Sequence, residues 1–168
     1  GAKVFITKKI SKATVITVGI SLLLILFFII RAASCSSVQD TAVASIGVYS
    51  LKAEDNAQRI AFLEQFGWQV ESDPVEMTDI LIPQSFNETY QNYNAIQLEQ
   101  GLDLTKYKGK SCRRVSYAVT NYPKTQEDVH QSVRANLLIY EGKVIGGDIC
   151  STQLDGFMHG FEKPQAQP

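Results

Sequence analysis

The amino-terminal part of the chain lacks acidic side chains, and one stretch within it lacks charge altogether. Residues 1–31 hold five basic residues and no acidic one, and residues 13–30 (ATVITVGISLLLILFFII) contain no charged residue. As a helix this stretch would span roughly 27 Å, close to the thickness of the hydrocarbon layer of a membrane. A core helix of a soluble protein is rarely apolar on every side over this length. The absence of charge therefore predicts a transmembrane helix over residues 13–31.

The charges on either side predict the orientation of this helix. Four lysines precede the apolar run and one arginine, Arg31, follows it. Because basic residues are retained on the cytoplasmic side, residues 1–12 are predicted to be a cytoplasmic basic segment. The chain after the span is then extracytoplasmic. We expect a single-pass protein of a plasma membrane, with its N-terminus in the cytoplasm.

A second interpretation of the same region stays open. The residues AASC, 32–35, lie just beyond the apolar run, and small residues before a cysteine are typical of lipoprotein signals. Cys35 would then be lipidated after cleavage. Ala32 stands where such signals prefer leucine, and Arg31 interrupts the approach, so an uncleaved anchor is favoured. Both interpretations hold the following domain at the same face of the same membrane.

The rest of the chain has few cysteines and histidines and an excess of acid. Beyond residue 31 it carries 11 of the 16 basic residues and all 17 acidic ones, a formal net charge of −6. Phosphate contacts dominate affinity for nucleic acids, so this balance argues against a nucleic-acid partner. The two histidines and three cysteines lie at no familiar ligand spacing, and we expect neither a metal nor a cofactor.

Composition divides the exterior part of the chain into three segments. Residues 32–48 are mostly small and polar and are predicted to form a flexible stalk. Residues 49–161 are predicted to form the globular domain, and residues 162–168 (EKPQAQP) a disordered tail. Within the domain, boundary signals and apolar spacing predict helices in residues 53–67 and 85–101.

Five strands accompany these helices. Two short strands are predicted on either side of the turn Ser72-Asp73-Pro74, and three more in RRVSYAVTNY, VRANLLIY and KVIGGDIC. The order α-β-β-α-β-β-β indicates an α+β fold. We expect a curved antiparallel sheet with both helices packed on one face, as a two-layer structure.

The last predicted hairpin raises a problem of register. A two-residue loop at Glu141-Gly142 and regular pairing would turn Asp148 into the core, at a cost of several kcal/mol for an unpaired carboxylate. A β-bulge at Gly146-Gly147 would invert the faces beyond it. Ile149 would then be buried, while Asp148 and Cys150 would point to the solvent.

The same stretch holds the residue types of a thiol enzyme. Cys150 would be the nucleophile, His159 or His130 the base, and Asp148 or Asp155 the group that orients the base. No family-specific signature surrounds the cysteine. We therefore expect no catalytic site, and these residues are the candidates for the alternative.

The two exterior cysteines of the domain are predicted to be free thiols. Cys112 opens one strand and Cys150 closes the last. In a meander these positions lie at opposite ends of the sheet, roughly 20–25 Å apart at ~3.3 Å per residue. A disulfide needs Cα atoms within about 7 Å.

One basic segment contrasts with the acidic domain around it. Residues 106–114 (KYKGKSCRR) contain five bases and no acid. The five bases are Lys106, Lys108, Lys110, Arg113 and Arg114. They are either the solvated start of a strand or a dock for exterior anions, such as lipid headgroups or phosphate polymers of a cell wall.

Three stretches carry a family resemblance: FGWQV, YQNYNAIQLEQGLDLTKYKGK and VRANLLIYEGKVIGGDICSTQLDGFMHG. Together they cover about residues 50–161. They resemble a Firmicutes family of small membrane-anchored extracytoplasmic proteins known as a domain of unknown function. The resemblance implies a Gram-positive bacterial membrane and an α+β domain. It implies no activity, substrate or catalytic residue.

We therefore expect a non-enzymatic module at the bacterial cell envelope that binds a protein, a peptide or an anionic polymer. The alternatives are a small anchored thiol enzyme that uses Cys150 and a structural component of the envelope. An open groove between helix and sheet would favour the module. A cleft that joins Cys150, His159 and an acid would favour the enzyme.

Overall fold

The computed structural model describes residue 21, residues 39–123 and residues 133–164. The chain divides into two compact units, Gly1–Ser37 and Val38–Pro168, and the fold below is that of the second unit. The predicted membrane span apart from Ser21, together with Cys35 and His130, lies outside the described residues. Among the described residues, no helix is both long and apolar enough to cross a membrane.

A five-stranded antiparallel sheet in the order β3-β4-β5-β6-β7 forms the centre of the domain. Its strands are β3 (Glu76–Leu81), β4 (Ser111–Ala118), β5 (Val133–Tyr140), β6 (Lys143–Ser151) and β7 (Met158–His159). Consecutive strands pair with each other, which confirms the predicted meander. Glu141 and Gly142 both have positive φ, 49° and 75°, as the predicted two-residue hairpin loop requires.

Two helices begin at residues whose side chains cap them. The helices are α1 (Asn56–Glu64) and α2 (Glu88–Glu99), and a 3-10 helix (Leu104–Tyr107) follows. The Asp55 carboxylate accepts a 2.8 Å hydrogen bond from the backbone N–H of Gln58, and Asn87 Oδ1 accepts one of 2.9 Å from that of Tyr90. Such caps satisfy N–H groups that have no partner within the helix. The sequence therefore predicted both helices, and the α+β class is confirmed.

The main hydrophobic core lies on the face of the sheet that α1 covers. Phe62 and Leu63 of α1 are buried there, followed by Phe66 just beyond the helix. Alternate strand residues point to the same face and are fully buried: Val115, Tyr117, Ala135, Leu137 and Ile149. The strand periodicity in the sequence predicted this inward face.

The second helix lies on the opposite face of the sheet, so the predicted two-layer arrangement is wrong. A second buried cluster occupies that face and contains Ile82, Leu104, Cys112, Leu138 and Ile145. Tyr90 and Tyr93 of α2 pack against this cluster. Because β5 and β6 are apolar on both faces here, a single helical layer would leave Leu138 and Ile145 in water. The domain is therefore a three-layer structure of α1, sheet and α2.

A small hairpin occupies part of the predicted stalk. Its strands are β1 (Thr41–Ala44) and β2 (Gly47–Ser50), paired in antiparallel register. Ala42 and Tyr49 lie opposite each other and are buried in the main core. The prediction of a stalk over residues 32–48 is therefore wrong from residue 41 onward, because alternating burial of small residues leaves little trace in composition.

Two separate pieces of the chain pair with the outer edge of β6. Residues 51–53 pair with residues 142–144 at one end of the strand. At the other end β7 pairs with Ile149 and Cys150. Gly147 lies in the gap between these two pieces.

Two buried glutamines fill this gap. Gln97 Oε1 accepts a 2.7 Å hydrogen bond from the backbone N–H of Gly147, and Gln100 Nε2 donates one of 3.2 Å to the Gly147 carbonyl oxygen. Gln100 Oε1 also accepts a 2.6 Å bond from the N–H of Phe161. The two amides act in place of a strand, because buried backbone groups need partners.

The first residues of the predicted tail also have defined contacts. Phe161 is fully buried in the main core. Glu162 Oε1 accepts a 3.0 Å hydrogen bond from the N–H of Ser45, and Lys163 Nζ lies 5.0 Å from the centre of the Trp68 ring. The ordered domain therefore extends past residue 161.

Candidate functional site

A β-bulge sets the faces of β6, as the sequence predicts. Val144 lies opposite Ile139, whereas Gly146 lies opposite Leu138, so the extra residue is Ile145 rather than one of the glycines. Beyond the bulge, Ile149 points into the main core. The inversion of faces is confirmed, and the bulge lies one residue earlier than expected.

Gly147 follows the bulge at a position that only glycine fits. Its φ is +156°, which residues with a Cβ rarely adopt. A Cβ at this position would overlap the carbonyl oxygen of Asn136 and approach Phe161 Cζ to 2.5 Å. The backbone geometry alone therefore explains why residue 147 is glycine, and no functional role is needed to explain it.

Asp148 is buried, which corrects the expectation that it faces the solvent. It does point away from the main core, but α2 covers this face of the sheet. Only 3% of the residue is exposed. Tyr93 Oη donates a 2.8 Å hydrogen bond to Asp148 Oδ2. The prediction from sequence placed both helices on the other face of the sheet, so the burial of Asp148 by α2 was not expected.

Asp148 ends a row of polar side chains that crosses three neighbouring strands. Ser116 of β4 lies opposite Asn136 of β5, which lies opposite Asp148 of β6. Ser116 Oγ donates a 2.6 Å hydrogen bond to Asn136 Oδ1, and Asn136 Nδ2 donates one of 2.8 Å to Asp148 Oδ1. Each side chain in the row forms a hydrogen bond with the next one. The buried polar atoms of the row therefore have partners within it.

Burial raises the pKa of the Asp148 carboxyl above its usual value, against the hydrogen bonds from Asn136 and Tyr93 that lower it. Burial also raises the pKa of the Tyr93 hydroxyl, and the negative Asp148 beside it adds to the shift. Tyr93 therefore remains a hydrogen-bond donor to the carboxylate.

Cys150 belongs to the same cluster and is a poor nucleophile there. Asn136 Nδ2 lies 3.2 Å from its sulfur. Burial, and then the negative charge of Asp148, raise the pKa of the thiol to about 11. The thiolate is the reactive form of cysteine, and here the surroundings disfavour it. Cys112 is free as well, so both predicted free thiols are confirmed.

His159 does not join Cys150, although β7 and β6 pair directly. It lies opposite Ile149, whose side chain is on the face of the main core. Its ring nitrogens lie 3.2 Å from Tyr122 Oη and 2.7 Å from the carbonyl oxygen of Gly160. Burial lowers the pKa of the imidazole. Among the residues that the structure describes, Cys150 and Asp148 thus come together without a histidine base.

The remaining candidates for catalysis and metal binding lie elsewhere. Asp155 is exposed in a turn with a positive φ of 58°. Within residues 39–123 and 133–164, no three His, Cys, Asp or Glu side chains are grouped so that they could hold a metal ion. The geometry of the described residues supports no thiol catalysis.

The predicted basic patch is divided by the sheet. Arg113 and Arg114 follow each other on β4 and so point to opposite faces. Arg113 Nε lies 2.9 Å from Asp79 Oδ1, and Arg114 Nη2 lies 2.6 Å from Glu76 Oε1, both acids being on β3. The prediction of one five-base patch is corrected, because a neighbouring strand compensates its two arginines.

Three lysines of the patch remain exposed around the 3-10 helix. They are Lys106, Lys108 and Lys110. Lys108 Nζ lies 4.8 Å from the centre of the Phe86 ring, a cation–π distance. These lysines are the part of the predicted patch that could attract an anion.

The structure contains an open cleft between α1 and the sheet, and its residues were not identified as a site from the sequence. Its volume is about 230 Å³. Its wall on the helix side includes Glu54 and Arg59, and its floor includes Arg113 and Ile139. The cleft therefore offers both signs of charge beside an apolar side chain.

An exposed apolar row borders the same face of the sheet. Val75, Met77 and Leu81 are exposed by 51%, 48% and 67%. They alternate along the edge strand β3 and the residue before it, with Asp79 among them. In the described residues β3 pairs with β4 alone, so its other edge carries backbone groups without a strand partner. The alternation in VEMTDIL was the signal that could have revealed this row.

Comparison with known proteins yields one match. The model of a family described as a domain of unknown function (DUF4830) matches residues 62–149. The matched residues include α2, most of the sheet, the polar row and the exposed strand β3. Neither the curated proteins nor the solved structures contain a match to the chain.

Proposed function

Because the chain belongs to the Domain of unknown function (DUF4830) family, its role must be argued from its own residues, and we propose that it is a non-enzymatic binding module of the bacterial cell envelope. The module is anchored by one membrane span and presents its domain on the extracytoplasmic side. Its partner is a polypeptide that adds to the edge of the sheet.

The anchoring part of the proposal rests on the sequence. The run of residues 13–30 has no charge, and four lysines precede it against one arginine after it. The resemblance to Firmicutes proteins supports a Gram-positive plasma membrane. Lipidation of Cys35 would provide a different anchor at the same membrane face.

The binding part of the proposal rests on the exposed edge of β3. A strand with a free edge offers backbone donors and acceptors to an extended peptide, and side chains on alternate positions supply selectivity. Val75, Met77 and Leu81 provide an apolar row at such positions. Soluble proteins usually protect edge strands that are apolar and accessible, so an open one favours a partner.

The cleft beside this row extends the surface. Arg113 connects the two, because it lines the cleft and pairs with Asp79 of β3. A peptide along β3 could place a side chain of either charge between Arg59 and Glu54 of the cleft. The thiol-enzyme alternative has weaker support, since Cys150 has a raised pKa and His159, the one histidine in the described part of the chain, lies on the other face of the sheet.

The test is site-specific photo-crosslinking in the bacterium that makes the protein. A photoreactive residue replaces Met77 or Leu81 in the row and, as a matched exposed control, Leu154, which is 98% exposed. We expect discrete adducts to another protein from positions 77 and 81 and none from position 154. The adducts should persist in a Cys150→Ser background, because the thiol has no part in binding.

Two results would overturn the proposal. Equal crosslinking from all three positions, or none from the row, would remove the assigned binding edge. Adducts only between copies of this chain would instead favour a structural component of the envelope.

For the topology, protease added to wall-stripped cells should remove the domain, and protection of the domain would refute its extracytoplasmic location.

A further inference from the structure

The β1–β2 hairpin presents a second apolar surface, distinct from β3. Val43 and Val48 lie directly opposite each other, so their side chains share one face of the hairpin. They are exposed by 64% and 71%, and Ile46 in the connecting turn by 46%. Three branched apolar side chains therefore project from a ten-residue element.

The other face of the hairpin is fixed to the domain. Tyr49 Oη donates a 2.5 Å hydrogen bond to the carbonyl oxygen of Gln100, and its ring packs edge-on against Phe62 and Phe66 at 6.0 and 5.0 Å. Gly101 lies so close to the Val43 backbone that a Cβ would overlap its carbonyl oxygen. The hairpin cannot turn its apolar face inward without breaking these contacts.

The hairpin itself carries no charge, and the charges around it are of both signs. Residues 41–51 contain no charged side chain, and Lys52 follows them. Lys106 and Asp103 both line the same small pocket as Gln39, just before β1. Of the nearby acids, Asp40 pairs with Lys143 at 2.6 Å.

One further acid approaches the turn of the hairpin. The Glu162 carboxylate accepts a 3.0 Å hydrogen bond from the N–H of Ser45 and keeps its negative charge. An apolar face with few charges around it can meet a bilayer surface, where apolar side chains insert between the headgroups.

The position of the hairpin in the sequence suggests what it meets. The predicted membrane span ends at residue 31, and β1 begins at Thr41. The nine residues 32–40 reach at most about 30 Å when fully extended. A hairpin on so short a tether encounters the bilayer at a high effective concentration.

We propose that the face formed by Val43, Ile46 and Val48 docks on the headgroup region of the bilayer in which the chain itself is anchored. This inference rests on the proposed anchoring. Docking would hold the domain in one orientation on the membrane and leave the β3 edge to its partner.

A lipid surface fits this face better than a protein does. A stable protein interface buries about 800 Å² on each side, more than three side chains supply. A shallow membrane contact needs no such area, because the anchor already holds the domain at the surface.

The experiment measures tryptophan quenching by brominated acyl chains. The full chain is reconstituted into vesicles of phosphatidylcholine and phosphatidylglycerol, as Val48→Trp, as Val43→Trp and as the exposed control Leu154→Trp. The chain has a single native tryptophan, Trp68, which is buried and stacks on Tyr122, so the unmodified chain provides the background. We expect brominated lipid to quench the added tryptophan at positions 43 and 48 and to leave that at position 154 unaffected.

Flotation of the vesicles separates the two proposals. A chain that floats with the vesicles, but shows no more quenching at positions 43 and 48 than at position 154, retains the anchor and overturns docking. A blue-shifted emission at position 48 without quenching by lipid also overturns docking, in favour of a protein neighbour or a second copy. A chain that does not float refutes anchoring, and docking with it.

Discussion

Tyr93 and Asp148, 55 positions apart in the chain, join α2 to the face of the sheet opposite the main core through a 2.8 Å hydrogen bond. Asn136 donates to the other oxygen of the same carboxylate at 2.8 Å. The contact seals a polar row that would otherwise meet water. It also places Asp148 and Cys150 in one buried cluster beneath α2.

Loss of the Tyr93 hydroxyl should weaken this connection. Tyr93→Phe removes a donor to a buried carboxylate, and hydrogen bonds to charged groups contribute about 1.5–3 kcal/mol. We expect a loss of that size in the free energy of unfolding of residues 38–168, measured by urea titration. Tyr90→Phe on the same helix is the control and should cost less. Equal effects of the two substitutions would contradict the assigned role of Tyr93.

Asp148→Asn should change the pH dependence of stability. The carboxyl has a pKa above 3.8 in the folded domain, so it binds its proton more tightly when folded. Its contribution to stability is therefore full below pH 3.8 and is lost as the pH rises through the folded-state pKa. Relative to the unmodified domain, the variant should gain stability between pH 4 and pH 7, measured by urea unfolding. A constant difference between the two across this range would contradict the raised pKa.

Gly147→Ala should be among the most damaging small substitutions. The positive φ and the overlap with the Asn136 carbonyl oxygen both oppose a side chain. We expect a loss of about 3 kcal/mol in the free energy of unfolding. Gly146→Ala is the matched control, since its Cβ would meet only side-chain atoms, of Leu104 and Gln97, at 3.0 Å or more. The ordering of the two melting temperatures decides the matter, and the reverse order would mean that β6 runs differently.

Cys150 should react slowly with alkylating agents. A pKa of about 11 instead of 9.0 leaves about 100-fold less thiolate at pH 8. In residues 38–168 we expect iodoacetamide to modify Cys150 and Cys112 at least that much more slowly than a model peptide thiol, and at the ordinary rate after unfolding in urea. Mass spectrometry identifies the modified residue. Rapid alkylation of Cys150 in the folded domain would revive the thiol-enzyme alternative.

The three exposed lysines should account for any attraction to anionic polymers. We expect the domain to bind polyphosphate weakly and less at higher salt, because screening shortens the reach of exposed charges. Joint replacement of Lys106, Lys108 and Lys110 by glutamine should abolish binding. Arg113→Gln should leave it nearly unchanged, since Asp79 already compensates that arginine. An equal loss of polyphosphate binding in both variants would mean that the five bases act as one patch, as first predicted.

Local sequence pattern was sufficient for both helices and for the central strands, but not for the β1–β2 hairpin or for β7, and the strand predicted before Ser72 is a single bridge of Val70 with Val119. Both helices, the meander of β4, β5 and β6 and the inward position of Ile149 follow from periodicity, capping residues and the two-residue loop at Glu141-Gly142. These features depend on neighbours in the chain. Even the bulge in β6 could be predicted, because an unpaired carboxylate in the main core would have been costly.

Only the tertiary structure decided which face each helix covers. The sequence shows that β5 is apolar at Leu138 as well as at Leu137, but not which helix meets which residue. Placement of α2 over Leu138 buries Asp148 under Tyr93. The pairing of β7 with β6 places His159 opposite Ile149, on the other face of the sheet. The hairpin at residue 41 was equally hidden, since Tyr49 is buried only through partners as distant as Phe66 and Gln100. The sequence determined both helices and the central meander through local interactions, whereas the hairpin and the candidate sites depended on long-range packing that one sequence does not encode locally.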